Sequence, residues 1–256
     1  MTKEKTLRQR IRDGEVLVAL RGSLDTTKSQ LADIWATDRY DYIWIDGQHG
    51  PMNPNWLYET VKGLGRTDSD VIVRVVSNEH WLIGQTLDMG ADGIVIPMVD
   101  NAEELRRAVD AAKYPPMGHR SNGARKTWRL GDQYVERANE ETIVWPQIET
   151  KGAIDDIDAF LQVDGIDGIM IGPSDLALAL GVPQGGTEVN NTFQFILDKC
   201  QEYGVPWGMF SGVERGSHWL KKGGQIVTAG NTLQYVGQGA AADLKAFKDL
   251  TSNMKI

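Results

Sequence analysis

Ile143-Val144-Trp145-Pro146-Gln147-Ile148-Glu149-Thr150 and, further on, Gly168-Ile169-Met170-Ile171-Gly172-Pro173-Ser174-Asp175 decide the fold. Each is a short apolar run without polar alternation, and each breaks into polar residues at its C-terminal end. Such runs suit strands buried on both faces of a parallel sheet. Working outward, the same unit recurs at Val16–Leu20, Tyr42–Ile45, Val71–Val75 and Gly93–Pro97, and again at Trp207–Phe210 and Ile226–Ala229. Between the runs lie helical patterns at Trp81–Met89, Ala102–Ala112 (with Asn101 as N-cap), Leu176–Leu180 and Thr192–Tyr203. Cys200 falls on the apolar stripe of the last and reads as a core residue. Eight strands alternating with helices predict an α/β fold, a (β/α)8 barrel, as one domain over residues 1–256. The alternative is a doubly wound sheet, but no Gly-x-Gly-x-x-Gly follows the first strand. One segment, 114–141, is longer than a barrel needs and reads as a long loop of the kind that forms lids or subunit contacts.

The chain has 256 residues, close to the usual size of such a barrel. Its 27 Lys and Arg against 35 Asp and Glu leave a formal charge of −8, which argues against nucleic acid as a partner. A single cysteine excludes an intramolecular disulfide and zinc sites built from several thiolates. No stretch approaches the length of a membrane span, and the charged N-terminus lacks a signal core. The expectation is a cytoplasmic protein with no membrane partner.

Barrels place functional side chains at the C-terminal ends of strands and in the loops just after. That rule collects Asp46-Gly47-Gln48-His49-Gly50-Pro51, Arg74, Gln147-Ile148-Glu149-Thr150 and Gly172-Pro173-Ser174-Asp175. Glu149 and Asp175 lie about one β/α unit apart, so they stand on adjacent strands facing the barrel mouth. Two converging carboxylates repel unless a cation joins them, and a hard divalent ion (Mg, Mn or Co) suits the pair. The plainer alternative is two solvated rim carboxylates or helix caps. His49 near Asp46 suits a general base or acid, or a surface histidine beside an Asx turn. Arg74, inside a Val/Ile run, must be paired; it neutralises Asp46, holds a substrate oxyanion, or does both. The turn at Gly172-Pro173-Ser174-Asp175 opens a helix whose free N–H groups suit a small carboxylate. Lys126 and Lys151 lie near the rim, but no lysine sits within an apolar strand run, as Schiff-base catalysis would need.

Five segments in order carry a resemblance: Asp46–Pro51, Gly90–Val99, Tyr114–Arg120, Gln147–Thr150 and Ile171–Leu176. From about Gly14 to the C-terminus the chain resembles the HpcH/HpaI aldolase family, class II aldolases dependent on pyruvate. The resemblance implies a (β/α)8 barrel, a divalent metal, and reversible cleavage of a 4-hydroxy-2-oxo acid to pyruvate and an aldehyde. It implies Glu149 and Asp175 as metal ligands, and Arg74 binding the pyruvyl oxygen. It also implies His49, oriented by Asp46, handling protons, with Gln147, Gly172, Ser174 and Asp175 at the substrate. It further implies a homohexamer exchanging its last helix, for which Ala240–Leu250 is available. Gln48 and His119-Arg120-Ser121 depart from the usual pattern. The stretch Asn122–Trp128, with Arg125 and Lys126, is a candidate surface for an anionic aldehyde. The rival readings are a CoA-thioester lyase or synthase of the citrate lyase type and a non-catalytic barrel that binds an oxo acid.

Overall fold

In the computed structural model, which describes residues 5–22, 40–50, 52–64, 69–123 and 131–252, eight parallel strands close on themselves in chain order. They are β1 (Leu17–Gly22), β2 (Tyr42–Asp46), β3 (Asp70–Arg74), β4 (Gly93–Ile96), β5 (Ile143–Ile148), β6 (Ile169–Ile171), β7 (Trp207–Met209) and β8 (Ile226–Asn231). The described helices are α1 (Leu7–Arg12), α2 (Pro54–Leu64), α3 (His80–Asp88), α4 (Ala102–Ala112), α5 (Tyr134–Glu141), α6 (Lys151–Asp155), α7 (Ile157–Leu161), α8 (Pro173–Leu180), α9 (Thr187–Tyr203), α10 (Gly212–Lys221) and α11 (Thr232–Ser252). The expected barrel is the observed one.

Strand side chains alternate between two cores. Leu17, Ala19, Tyr42, Trp44, Ile72, Val95, Ile143, Trp145, Met170 and Ile226 fill the barrel interior. Their neighbours Leu20, Ile43, Ile45, Val71, Val73, Ile94, Ile96 and Ile148 pack outward under the helices. Continuing the inward series to the C-terminal rim brings up Arg21, Asp46, Arg74, Gln147, Glu149 and Gly172. The rim of charge is therefore the top layer of the same alternation that fills the barrel with hydrocarbon.

The other end is closed by α1, which is absent from the sequence-based expectations. Thr6 and Gln9 form a capping box, and Leu7 and Ile11 enter the interior core. Arg8 donates to Asn139 O at 3.1 Å, Thr142 O at 3.0 Å and Asp167 Oδ2 at 2.9 Å. Lys113, wholly buried, donates to the same Asn139 and Thr142 carbonyls at 2.9 and 2.7 Å. Burial, then the neighbouring Arg8, pushes its ammonium down to about 7.

Several boundaries differ from the expectations. Helix α9 begins at Thr187 rather than Thr192, and α11 at Thr232 rather than near Ala240. The long segment is not all loop: it ends in α5, and Tyr114 N–H to Asn139 Oδ1 (2.7 Å) with Asn139 Nδ2 to Tyr114 O (3.0 Å) ties its ends together. Arg125, Lys126 and the rest of 124–130 lie outside the described residues, as does Pro51. Cys200 is buried, and burial pushes its thiol up to about 12, as a core residue requires. Beyond Thr232, α11 leaves its side chains exposed, including Leu233, Val236, Leu244, Phe247 and Leu250. Among the described residues no helix is long and apolar enough to cross a membrane.

Candidate active site

Asp46 and Arg74 are direct partners in the register of β2 on β3. Arg74 donates Nε to Asp46 Oδ1 at 2.8 Å and Nη2 to Oδ2 at 2.6 Å, both residues being buried. This two-pronged pair satisfies the rule that a buried guanidinium needs a carboxylate. Burial alone would raise the Asp46 carboxyl; Arg74, and then Arg21, hold it below its ordinary value. The remaining nitrogen, Nη1, faces Gln147 Oε1 at 3.4 Å. Gln147 in turn donates Nε2 to Glu149 Oε2. The chain Asp46–Arg74–Gln147–Glu149 is thus fixed link by link across β2, β3 and β5.

Glu149 is 1% exposed. Its other oxygen, Oε1, accepts Met98 N–H at 2.8 Å. Met98 adopts φ 54°, a left-handed conformation unfavourable for a residue with a side chain, and this turn after β4 aims its N–H at Glu149. Burial pushes Glu149 up to about 7; the nearby Asp175 carboxylate adds to the rise, while Met98 N–H and Arg74 oppose it. The buried Glu149 and the half-buried Asp175 thus form a pair of converging carboxylates. Their hard oxygen atoms are of the kind that could hold a divalent cation. Among the described residues no group of three or more His, Cys, Asp and Glu could hold a metal ion.

Gly172 is glycine for a local reason. A Cβ there would overlap Glu149 Oε2 and Gln147 Nε2, so any side chain would displace both. Immediately after it, α8 starts with Pro173, and its first intrahelical bond is Leu176 N–H to Gly172 O. The N–H groups of Ser174 and Asp175 precede that bond and have no intrahelical acceptor.

His49 is exposed in the turn after β2. Asp46 Oδ1 accepts the backbone N–H of Gln48 at 3.1 Å and of His49 at 3.4 Å. Asp46 therefore shapes the turn that carries His49. Its side-chain bonds run to guanidinium and backbone N–H groups and not to the imidazole. The structure thus brings together Asp46, Arg74, Gln147, Glu149, Gly172 and Asp175, with Ser174 at the helix start and His49 on the rim above. Sequence reasoning missed Arg21, Met98 and the ring pair Trp44–Phe210, stacked at 3.7 Å between centroids. Arg21 had a signal: it continues the inward series Leu17, Ala19, Arg21, but an apolar run read as ending at Leu20 leaves it out.

Fold and rim together define an aldolase-type barrel enzyme with its chemistry at the C-terminal ends of the strands. Residues 24–237 match the family model of the HpcH/HpaI aldolase/citrate lyase group. A 2-keto-3-deoxy-L-rhamnonate aldolase of Salmonella gallinarum is 39% identical over 196 residues, 74% of this chain and 71% of that protein. The HpcH/HpaI aldolase of Desulfitobacterium hafniense superposes with a TM-score of 0.85 at 25% identity, over 95% of this chain and 96% of that one. Citrate synthase SbnG superposes with 0.84 at 27% identity, over 97% and 99%. The chain belongs to the HpcH/HpaI aldolase/citrate lyase family. Its activity is that of the family's class II pyruvate aldolases, carbon–carbon lyases that release pyruvate and an aldehyde.

Proposed function

We propose that this aldolase cleaves a 4-hydroxy-2-oxo acid at its rim with a definite division of labour. Glu149 and Asp175 hold a divalent ion, Mg, Mn or Co. When bound, that ion supplies a positive charge that polarises the 2-oxo group. The substrate carboxylate sits on the N–H groups of Ser174 and Asp175, which the start of α8 presents without intrahelical partners. Arg74, locked on Asp46 by two bonds, directs Nη1 at the 2-oxo oxygen, where negative charge grows as the reaction proceeds. Gln147 spans Arg74 and Glu149 and keeps their spacing. His49 takes the proton of the C4 hydroxyl; the C3–C4 bond breaks, the aldehyde leaves, and the electron pair passes to the enolate of pyruvate. A proton delivered to C3 completes pyruvate. In the reverse direction the same groups add pyruvate to an aldehyde.

The observation that carries this reading is Glu149. It is a buried carboxylate beside a second carboxylate and one glutamine away from a fixed guanidinium. The test is turnover of pyruvate with a panel of aldehydes after chelation and after each ion is restored. Chelation removes activity, and one or more of the three ions brings it back. Full activity in chelated Glu149→Ala protein that folds normally would refute the assignment.

The assembly belongs to the same reading. Leu233, Val236, Leu244, Phe247 and Leu250 give α11 an exposed apolar stripe at helical spacing, which supports packing on further copies of this chain, as a hexamer. Truncation after Asn231 tests it: the expected result is loss of the oligomer in sedimentation, and an unchanged oligomer defeats it.

A further inference from the structure

Asp46 is shared by two guanidinium groups, and only one is needed to neutralise it. Arg74 already occupies both oxygens, yet Arg21 adds Nη2 to Oδ2 at 3.0 Å. Arg21 has no second carboxylate among the described residues. It also differs from Arg74 in its access to water. The Arg21 side chain is 43% exposed and that of Arg74 is 7% exposed. Arg74 therefore serves the buried end of the site near Glu149, and Arg21 serves the outer part of the mouth.

Arg21 is positioned by its neighbours. It pairs with Trp44 in the register of β1 on β2, and its guanidinium carbon lies 4.9 Å from the centroid of the Trp44 ring. Phe210 stacks on the same ring, so the platform beneath the cation is fixed. A planar guanidinium held at one edge by Asp46 and lying over an aromatic ring presents its remaining N–H groups in a set direction. That arrangement suits bidentate capture of a carboxylate. It is also a local cation kept at the mouth of a chain whose net charge is −8, where an unassigned positive charge has no general role in solubility.

We propose that Arg21 is a specificity-determining residue that recognises a carboxylate on the aldehyde portion of the substrate, so that the enzyme prefers dianionic 4-hydroxy-2-oxo acids. This rests on the aldolase reading above, in which Ser174, Asp175 and Arg74 take the pyruvyl part. Arg21 then meets what lies beyond the C3–C4 bond.

The experiment compares aldol addition of pyruvate to matched aldehydes: glyoxylate against glycolaldehyde, and succinate semialdehyde against butanal. The expected result is a kcat/KM preference of about tenfold or more for the charged member of each pair, the scale of a hydrogen bond to a charged group. In Arg21→Gln the ratio of charged to neutral collapses toward one, and in Arg21→Lys part of it returns. A role limited to steadying Asp46 would lower both rates alike and leave the ratio intact, and that outcome overturns the proposal. A second arm needs no turnover: calorimetric binding of 2-oxoglutarate and 2-oxovalerate to the protein in excess Mg2+. Tighter binding of 2-oxoglutarate that Arg21→Gln abolishes supports Arg21; equal binding by the unaltered protein overturns it. Failure of every aldehyde to react sinks the aldolase reading, and the calorimetric arm still decides Arg21.

Discussion

The two ends of the barrel face the same electrostatic problem and solve it differently. At the closed end, Arg8 and Lys113 converge on two carbonyls and one carboxylate, Asp167. At the open end, Arg21 and Arg74 converge on one carboxylate, Asp46. At each end two cations crowd around one paired carboxylate. At the closed end the second cation can lose its charge, because a buried lysine gives up its proton, and Lys113 is pushed down to about 7. At the open end it cannot, because an arginine does not deprotonate in a protein. Arg21 stays charged and stays partly in water, on a rim that also carries Glu149 and Asp175. A second cation that can lose its charge is compatible with structure alone, whereas one that persists at a mouth is available to a ligand.

Four perturbations break or sharpen this contrast. The largest effect is expected at Glu149. Glu149→Gln keeps the shape and removes the charge; kcat/KM should fall by a factor of about a thousand, while the melting temperature stays or rises because a buried carboxylate has gone. A variant retaining more than a tenth of the activity would break the view of the open end as the reactive one. Next is Arg8→Leu at the closed end, which strands Asp167 and should cost about 3–5 kcal/mol in denaturant unfolding, with kcat unchanged. A loss of kcat instead would mean that the two ends are not separable.

Gly172→Ala comes third. Its methyl overlaps Glu149 Oε2 and Gln147 Nε2, so turnover should drop about a hundredfold through misplacement alone, with far-ultraviolet circular dichroism unchanged. The smallest effect concerns Lys113. Its folded pKa lies below the ordinary 10.5, so the unfolded chain binds the extra proton between about 7 and 10.5. Stability from this group therefore rises with pH across that window, and is flat below about 7, where both states are protonated. Between pH 7 and 9 the gain is about 2 kcal/mol. Lys113→Met should flatten that slope, and it leaves the two carbonyls still bonded to Arg8. A slope unchanged in the variant would locate the titration elsewhere.

How legible these ends were follows from how local their signals are. The eight strands announce themselves as apolar runs, since each is buried on both faces and has no polar alternation to obscure it. The rim residues follow from where those runs stop: Asp46, Glu149 and Gly172 each follow one, and Arg74 and Gln147 are the polar interruptions just before the end of theirs. Arg21 lies just beyond the apolar run, which ends at Leu20; only the closed barrel shows that β1 continues to Gly22 opposite β2. The closed end was silent. Arg8 meets Asn139, Thr142 and Asp167 across more than half the chain, and α1 is too short to show a strong period. Met98 gave no hint either, because a left-handed φ in a residue with a side chain is imposed by its surroundings and not by its own preference.

The sequence by itself determined the number and order of the strands, the alternation that sends one residue inward and the next outward, and the chemistry gathered where strands end. These depend on contacts between near neighbours and on the burial of apolar runs. Only the tertiary structure decided which cation pairs with which anion, which arginine keeps its exposure, and that Asp46 serves guanidinium groups in place of the His49 imidazole. Those outcomes depend on distances across the barrel, and a charge is neutralised by whatever the closed sheet sets beside it, however far apart the two lie in the chain.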